Sequence, residues 1–457
     1  METFSPSSIN LPFPYNSYTL PNVTAFTPPS FTTTNVSTIT TTTMETTTTP
    51  WMDSRIWSRI PQPLMDRILA CLPPPAFFRA RSVCKRWYAL LFSNTFLQLY
   101  LQVCPNFHWF IFFPHKKPNT NMNIYRNNPN TEDHNGGSCS PNSTQAYLFD
   151  PYEVKWHVIS FPLIPLGFSP SASSGGLICW ISDEPGPKNL FLHNPLVGSL
   201  TQLPPTLRPR LFPSIGLSIT PNSILMTLAG DDLISPYAVK NLTTETFHVD
   251  SSGFYSIWAT TSTLPRLCSL ESAQMVHSHG RFYCMDYNPF SVLTYDLSTN
   301  TWWKIQAPMR RFLRSPSLVQ CTHGKILLVA AVEKSKLNVP RSLRLWVLQG
   351  CGTQWVEVER MPQQLYAQFE EIEGGRGFDC VGNGEFIIIM IKGINKGLLF
   401  DFEKKRWIWM PNCSSNNDVS CVISDLHGFA YQPTLAVPVS ALVQQLFRLE
   451  INLNLNV

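Results

Sequence analysis

Between Trp57 and Leu101 the apolar positions repeat with helical spacing; beyond Cys104 they come in short strand-like runs. Leu64, Ile68 and Leu72 recur every four residues and predict one apolar stripe along a helix. Pro61 and Pro63 suit the start of that helix, because their missing N–H groups would be unpaired there anyway. Pro73, Pro74 and Pro75 stop it, since proline lacks the donor and clashes with the preceding turn. Phe77, Phe78, Ala80 and Val83 supply a second short amphipathic segment. Trp87, Leu90, Leu91, Phe96, Leu97 and Leu101 supply a third and a fourth. So small a module cannot bury all of these residues internally, and some are expected to face a partner. Cys84 reads as a packed thiol, because a free cysteine behaves as a small hydrophobe.

The strand-like part carries a repeat. Asp150 is followed six residues later by Trp156, Asn194 by Leu200, Asn241 by Phe247, Asp296 by Trp302 and Asp401 by Trp407. Leu348 and Trp355 form a seven-residue variant. Each Asp or Asn ends an apolar strand and suits a turn, since its side chain bonds the nearby backbone. The apolar anchor then opens the next strand. The anchors fall 44 to 55 residues apart, a period that fits four strands per unit and therefore a β-propeller. Six blades are expected, with a degenerate seventh as the alternative. Trp109–Phe113 and Tyr147–Asp150 read as strands of a first blade lacking its innermost strand, which Phe429-Ala430-Tyr431 could supply. The fold class is therefore mainly β with a small α module.

Composition refines the boundaries. Residues 31–50 hold twelve threonines, and residues 1–50 lack the apolar content to offset the entropy of ordering, so they are expected to be a disordered tail. Residues 51–104 form the helical module, 105–435 the propeller with a polar insertion at 114–145, and 436–457 a C-terminal tail. Charge gives little direction: the net +4 resolves into +5 over residues 51–104 and −1 over the rest, so any nucleic-acid surface must be a local patch. The twelve cysteines never lie closer than Cys413 and Cys421, which gives no CxxC pair and fits a reducing compartment. No run approaches the roughly 18 apolar residues of a membrane span, and no signal peptide is expected.

Candidate chemistry is sparse. Tyr283 and Cys284, with His277 and His279 nearby, have the residue types of copper radical oxidases, yet Phe282–Met285 reads better as a buried strand. Gly374-Gly375-Arg376-Gly377 lacks the lysine and the following helix of a phosphate loop. Asp231-Asp232, after Gly230, reads as a polar turn. No nucleophile–base set appears, so no cofactor and no enzymatic activity are expected; a propeller oxidase or hydrolase is the remote alternative. Basic residues say more. Arg208 and Arg210 follow the anchor Leu200 at the same phase as Arg310, Arg311 and Arg314 follow Trp302. That phase is the loop from an outermost strand to the next innermost one, and strand alternation puts Lys334, Lys336 and Arg341 on the same face. These eight are candidates for a rim that grips phosphates or an acidic partner. Asp183, Glu184, Asp231 and Asp232 should share that face.

The helical stretch resembles the F-box, through Ile60-Pro61, Leu64, Ile68, Leu72-Pro73, Arg79, Arg81, Val83-Cys84-Lys85, Trp87, Leu91 and Phe96. The repeats resemble kelch repeats, although only Gly175-Gly176 shows the full glycine doublet. With the blocks WMDSRIWSRIPQPL, RPRLFPSIGLSIT, GDDLISPYAVKNL and APMRRFLRSPSL, the chain is similar to the plant F-box/kelch-type family of Unusual Floral Organs, or Fimbriata. The resemblance implies docking on the Skp adaptor, and with it the cullin, of an SCF ubiquitin ligase. The residues it assigns to that dock are Ile60, Pro61, Leu64, Ile68, Leu72, Pro73, Val83, Cys84, Lys85 and Trp87. It also implies action in the nucleus with a Leafy-type floral transcription factor. The alternative is a ligase-independent co-regulator whose propeller contacts DNA itself.

Overall fold

The computed structural model describes residues 32–33, 59–114, 144–161, 164–220, 222–235, 238–250, 258–271, 273–287, 289–333, 341–413 and 425–435. Residues 115–143 of the polar insertion, nearly all of the first fifty residues, and the segment after 435 lie outside them; Pro114, Thr144 and Gln145, counted in the insertion, belong to strands. At Thr32–Thr33 the expectation of a wholly unstructured tail gives way: these two residues pair antiparallel with Val158 and His157.

Among the described residues, four α-helices precede the sheets of the second domain: α1 Gln62–Ala70, α2 Pro74–Arg81, α3 Lys85–Tyr88 and α4 Asn94–Val103. The prolines both end α1 and begin α2, where Pro74 and Pro75 occupy positions that need no N–H donor. On α1 the buried residues are Met65, Leu69 and Ala70, one position round from the expected stripe. Leu64 is exposed, and Ile68 and Leu72 are half-buried. The physical reason is that only one face of a nine-residue helix can meet the core, and here the sheet side takes the Met65–Leu69 row.

Among the described residues, the rest is built on six blades of four antiparallel strands; Thr32–Thr33 adds a fifth strand to the first, the innermost strands of the third and fourth pair in parallel, and a two-stranded ribbon (Gly186–Pro187 with Pro209–Arg210) and one helix lie outside the blades. Their innermost strands are Leu426–Tyr431, Phe168–Ser174, Ser214–Thr220, Gln274–Ser278, Leu313–Cys321 and Phe378–Asn383. Each touches the next, and the last touches the first, so the ring is closed. Closure is made by the chain's own end: Leu426–Tyr431 pairs with Trp109–Pro114, Tyr431 opposite Trp109 and Gly428 opposite Phe112. Any Cβ at Gly428 would sit 2.4 Å from the Phe112 ring, so the register demands glycine there.

Central strands are apolar on both sides because each blade is sandwiched between two others; Phe386–Ile391 is buried at every position. Outer strands are not, and Trp355–Arg360 is largely exposed. Near the axis small polar residues stitch blade to blade. Ser174 Oγ accepts from the Ile219 amide at 3.0 Å, and Ser317 Oγ accepts from Cys380 at 3.3 Å. Asn383 Nδ2 donates to Trp109 at 2.7 Å and to Tyr431 at 3.1 Å.

The Asp-turn repeat holds in four blades. Asp150, Asn194, Asp296 and Asp401 each accept from backbone amides two or three residues ahead. It fails in the third blade, where Ala238–Asp250 is one continuous strand running through both Asn241 and Phe247. Asp231 and Asp232 are likewise not a turn: they lie inside Ser223–Ser235, paired with Leu242 and Asn241. Tyr283 and Cys284 are strand residues pointing to opposite faces of the fourth blade, as period-two geometry requires.

Candidate partner-binding surfaces

Two surfaces stand at opposite ends of the propeller. At one end the helical module is welded to the blades. Met65, Leu69, Phe77, Phe96 and Tyr100 join Trp109, Phe113, Trp180 and Leu435 in a single apolar cluster. Phe77 stacks on Phe96 with centroids 5.7 Å apart. Burying side chains of this size is worth roughly 1.5–3 kcal/mol each.

What the weld leaves out is apolar too. Leu64 is 50% exposed and Val83 66%, so Val83 does not pack in the second segment as expected. Among the other assigned dock residues, Pro61, Pro73, Cys84 and Lys85 are exposed, while Ile60, Ile68, Leu72 and Trp87 are half-buried. Cys84 is therefore no packed thiol; its sulfur caps α3 by accepting from the Trp87 amide at 3.5 Å. The sequence reading missed Tyr88 and Phe92, both largely exposed on the same short segment. The signal for them was the surplus of apolar residues in a module too small to cover them. Arg81 organises this edge: it is buried, donates from Nε and Nη2 to the Tyr88 carbonyl at 3.1 and 3.0 Å, and lies 4.6 Å from the Tyr88 ring centre. Arg86 pairs with Asp66 at 2.5 Å, fixing α3 to α1.

The other end carries the loops from outermost to innermost strands and from second to third strands. Here the proposed basic rim comes apart. Arg210 is fully buried, 3.5 Å from Glu245, with Nη1 donating to Gly230 at 2.9 Å and to Thr243 at 3.0 Å. Burial pulls its guanidinium down and pushes the Glu245 carboxyl up from their ordinary values, each opposed by the other's charge. It is an internal brace, not a contact residue. Arg208 pairs with Asp232 at 3.7 Å, Arg314 with Glu373 at 2.6 Å, and Arg341 with Glu370 at 2.9 Å. Two of those acids come from a helix the strand reading missed, α5 Gln363–Glu373. Its signal was present: Pro362 before it, Tyr366, Phe369 and Glu373 recurring on the buried face, and Gly374 in the left-handed conformation at its end. The Glu373 carboxylate also accepts from the amides of Gly375 and Gly377, which occupies the glycine turn from within. Arg310 and Arg311 have no acidic partner among the described residues. Lys334 and Lys336 lie outside them.

The same end is apolar at its tips. Leu166, Leu207, Phe212 and Leu267 are exposed on its loops, and Ile234 is exposed at the end of the strand Ser223–Ser235. Along the axis runs a channel of about 320 Å³, lined by inner-strand residues such as Gln274, Gln320 and Asn383. Among the described residues no group of three or more His, Cys, Asp or Glu is placed to hold a metal ion. No helix there is long and apolar enough to cross a membrane.

Fold and surfaces together define an F-box protein whose second domain is a β-propeller. Profiles of known families agree: residues 57–99 match the F-box domain and residues 148–369 the KIB1-4 beta-propeller. The chain is 59% identical over 403 residues to Protein UNUSUAL FLORAL ORGANS of Arabidopsis thaliana, covering 87% of this chain and 89% of that one. It is 41% identical over 428 residues to Protein ABERRANT PANICLE ORGANIZATION 1 of Oryza sativa subsp. indica, covering 86% and 92%. A more distant relative, F-box only protein 6 of Arabidopsis thaliana, is 25% identical and covers 79% and 71%. The chain belongs to the UNUSUAL FLORAL ORGANS family of F-box/β-propeller proteins.

Proposed function

We propose that this protein is a non-enzymatic recruiting subunit of an SCF ubiquitin ligase, working in the nucleus with a Leafy-type transcription factor in flower development. The observation that carries the reading is the division of apolar residues in the F-box. One row is spent on the propeller, and Leu64, Val83, Tyr88 and Phe92 are left exposed on the outer side of the module. A Skp-type adaptor, bringing the cullin, is the partner this surface fits. The opposite end, with its exposed apolar tips, is then the recruiting face. The rigid joint between them sets the distance from ligase to target.

Direct DNA contact by the propeller is the weaker reading, because three of the eight basic candidates are held in acid pairs, one is buried, and duplex binding rests on free cations. Reconstitution tests both readings. Skp adaptor, transcription factor and labelled duplex are combined with the protein, leaving out one component at a time. The adaptor should join without factor or DNA, and the duplex should join only through the factor. A duplex retained by the propeller alone would favour the DNA reading.

A further inference from the structure

Cys71 and Cys104 cap the C-terminal ends of α1 and α4, and those two ends meet. The Cys71 thiol donates to the carbonyl of Val103, the residue before Cys104, at 3.7 Å. That oxygen lies about 2.8 Å from the next Cα across a trans peptide, so the Cys71 sulfur is within about 6.5 Å of the Cys104 Cα. A disulfide spans Cα atoms roughly 4.4–6.8 Å apart, a distance of the same size. Both cysteines are free thiols. Cys71 is exposed, so packing does not account for it and solutes reach it. Cys104 is half-buried beside the Tyr100 hydroxyl, against the cluster that welds the module to the propeller. Burial raises its thiol above the ordinary range, and the charge of the nearby Cys71 raises it further.

We infer that Cys71 and Cys104 form a peroxide-sensitive latch, which on oxidation locks α1 to α4 at the joint between the module and the propeller. The exposed Cys71 is the sulfur attacked first. As thiolate it takes one oxygen of hydrogen peroxide; the O–O bond breaks, the other oxygen leaves as water after taking a proton, and Cys71 becomes a sulfenic acid. The Cys104 thiolate then attacks the Cys71 sulfur, the S–O bond breaks, and the hydroxyl leaves with the Cys104 proton as a second water. Two thiols and one peroxide thus give one disulfide and two waters. A small dithiol reverses the change. The bond closes residues 71–104 into a loop, which restricts the unfolded chain. It also ties the helix carrying Leu64 and Ile68 to the helix carrying Tyr100, so the joint that sets the distance between the two ends of the molecule stiffens.

No partner is needed to test this. The purified full-length protein is treated with a small excess of hydrogen peroxide, and half of it is then reduced with dithiothreitol. Trypsin puts Cys71, Cys84 and Cys104 in separate peptides, because Arg79, Arg81, Lys85 and Arg86 lie between them. The peroxide sample should yield the Cys71 and Cys104 peptides joined, with two hydrogens lost, and dithiothreitol should part them. Amide exchange at the end of α1, residues 68–72, should slow roughly threefold or more in the oxidised protein. Cys71→Ser and Cys104→Ser should each keep the reduced protein's exchange rates and show no slowing with peroxide. Cys71 recovered as sulfinic acid, or joined to Cys84 or any cysteine other than Cys104, would overturn the pairing. A Cys71–Cys104 disulfide that leaves exchange unchanged would overturn the latch, as would equal slowing in the serine variants.

Discussion

Tyr100, in the last F-box helix, donates its hydroxyl to the carbonyl of Pro433 across 333 residues of chain, at 3.5 Å. Pro433 lies two residues beyond the strand that closes the propeller ring, so the F-box is fastened to the ring at its seam. The same short stretch makes further contacts: Thr434 accepts from Asn194 Nδ2 at 3.1 Å, and Leu435 enters the shared apolar cluster. Ring closure and F-box placement are one structural event.

Removing residues 426–435 should therefore cost both at once. The first blade loses its innermost strand, and buried Trp109, Phe113 and Tyr100 lose their cover. With about 1.5–3 kcal/mol at stake for each large apolar side chain exposed, the loss is comparable to the whole stability of an ordinary domain, roughly 5–15 kcal/mol. The truncated protein should be insoluble or fail to show a cooperative melt. Tyr100→Phe, which removes only the hydroxyl, should lower stability by about 1 kcal/mol. A truncated protein that still melts cooperatively near the wild-type temperature would mean that the strand is an ornament of the first blade.

The two rows of α1 make opposite predictions. Charged substitutions at Leu64 and Ile68, on the exposed and half-exposed row, should leave the melting temperature within a few degrees and abolish co-purification with a Skp-type adaptor. Leu69→Asp, on the fully buried row, should unfold the module, since an unpaired charge would replace a packed leucine. Circular dichroism and pull-down, run on the same preparations, separate the two cases. Normal adaptor binding by the Leu64/Ile68 double variant would place the dock elsewhere.

How much of this was legible in the sequence depends on whether local chemistry or tertiary context decided it. The turn carboxylates Asp150, Asp296 and Asp401 signalled their role because an Asp-backbone bond is closed within four residues. The closing strand was readable from the missing partner of Trp109–Phe113. The third blade misled because the hairpin Ser223–Ser235/Ala238–Asp250 runs on past the usual turn, and no residue at Asn241 marks that choice. The arginines misled for another reason. Phase along the chain gave the correct end of the propeller, but burial of Arg210 is set by Glu245, thirty-five residues away and hidden in the extended hairpin. For Arg314 and Arg341 the neutralising acids sit on α5, whose helical period was overlooked among strands.

Arg210 and the Arg310–Arg311 pair should accordingly behave as different kinds of residue. Arg210→Ala leaves Glu245 buried without its counter-charge and should cost about 3–5 kcal/mol. Replacing both with methionine should recover much of that loss, because it removes the uncompensated charge as well. Arg310→Glu with Arg311→Glu should leave the melting temperature unchanged and weaken assembly with the transcription factor more at low salt than at high. Thermal melts of the variants decide the first point. A mild effect of Arg210→Ala, under about 1 kcal/mol, would mean the pair is solvated in solution.

Acid should destabilise the fold through its buried histidines. Burial holds His193, fully enclosed in the second blade, down at about 4, and pushes His157 and His277 below the usual histidine range as well. In the unfolded chain these imidazoles take up a proton near pH 6.5. Between that value and about 4 the unfolded state thus binds a proton at His193 that the folded state refuses. Stability is then complete above roughly pH 6.5–7 and falls as the pH drops through the window, by at most about 1.4 kcal/mol per unit and about 3 kcal/mol in all for His193. His157 and His277 act with the same sign. Denaturant melts between pH 7.5 and 5 measure the slope for wild type and for His193→Gln. The glutamine variant starts lower, because its amide is a poor fit, but it should lose less stability over the same interval. Equal slopes for the two proteins would assign the acid sensitivity to groups other than His193.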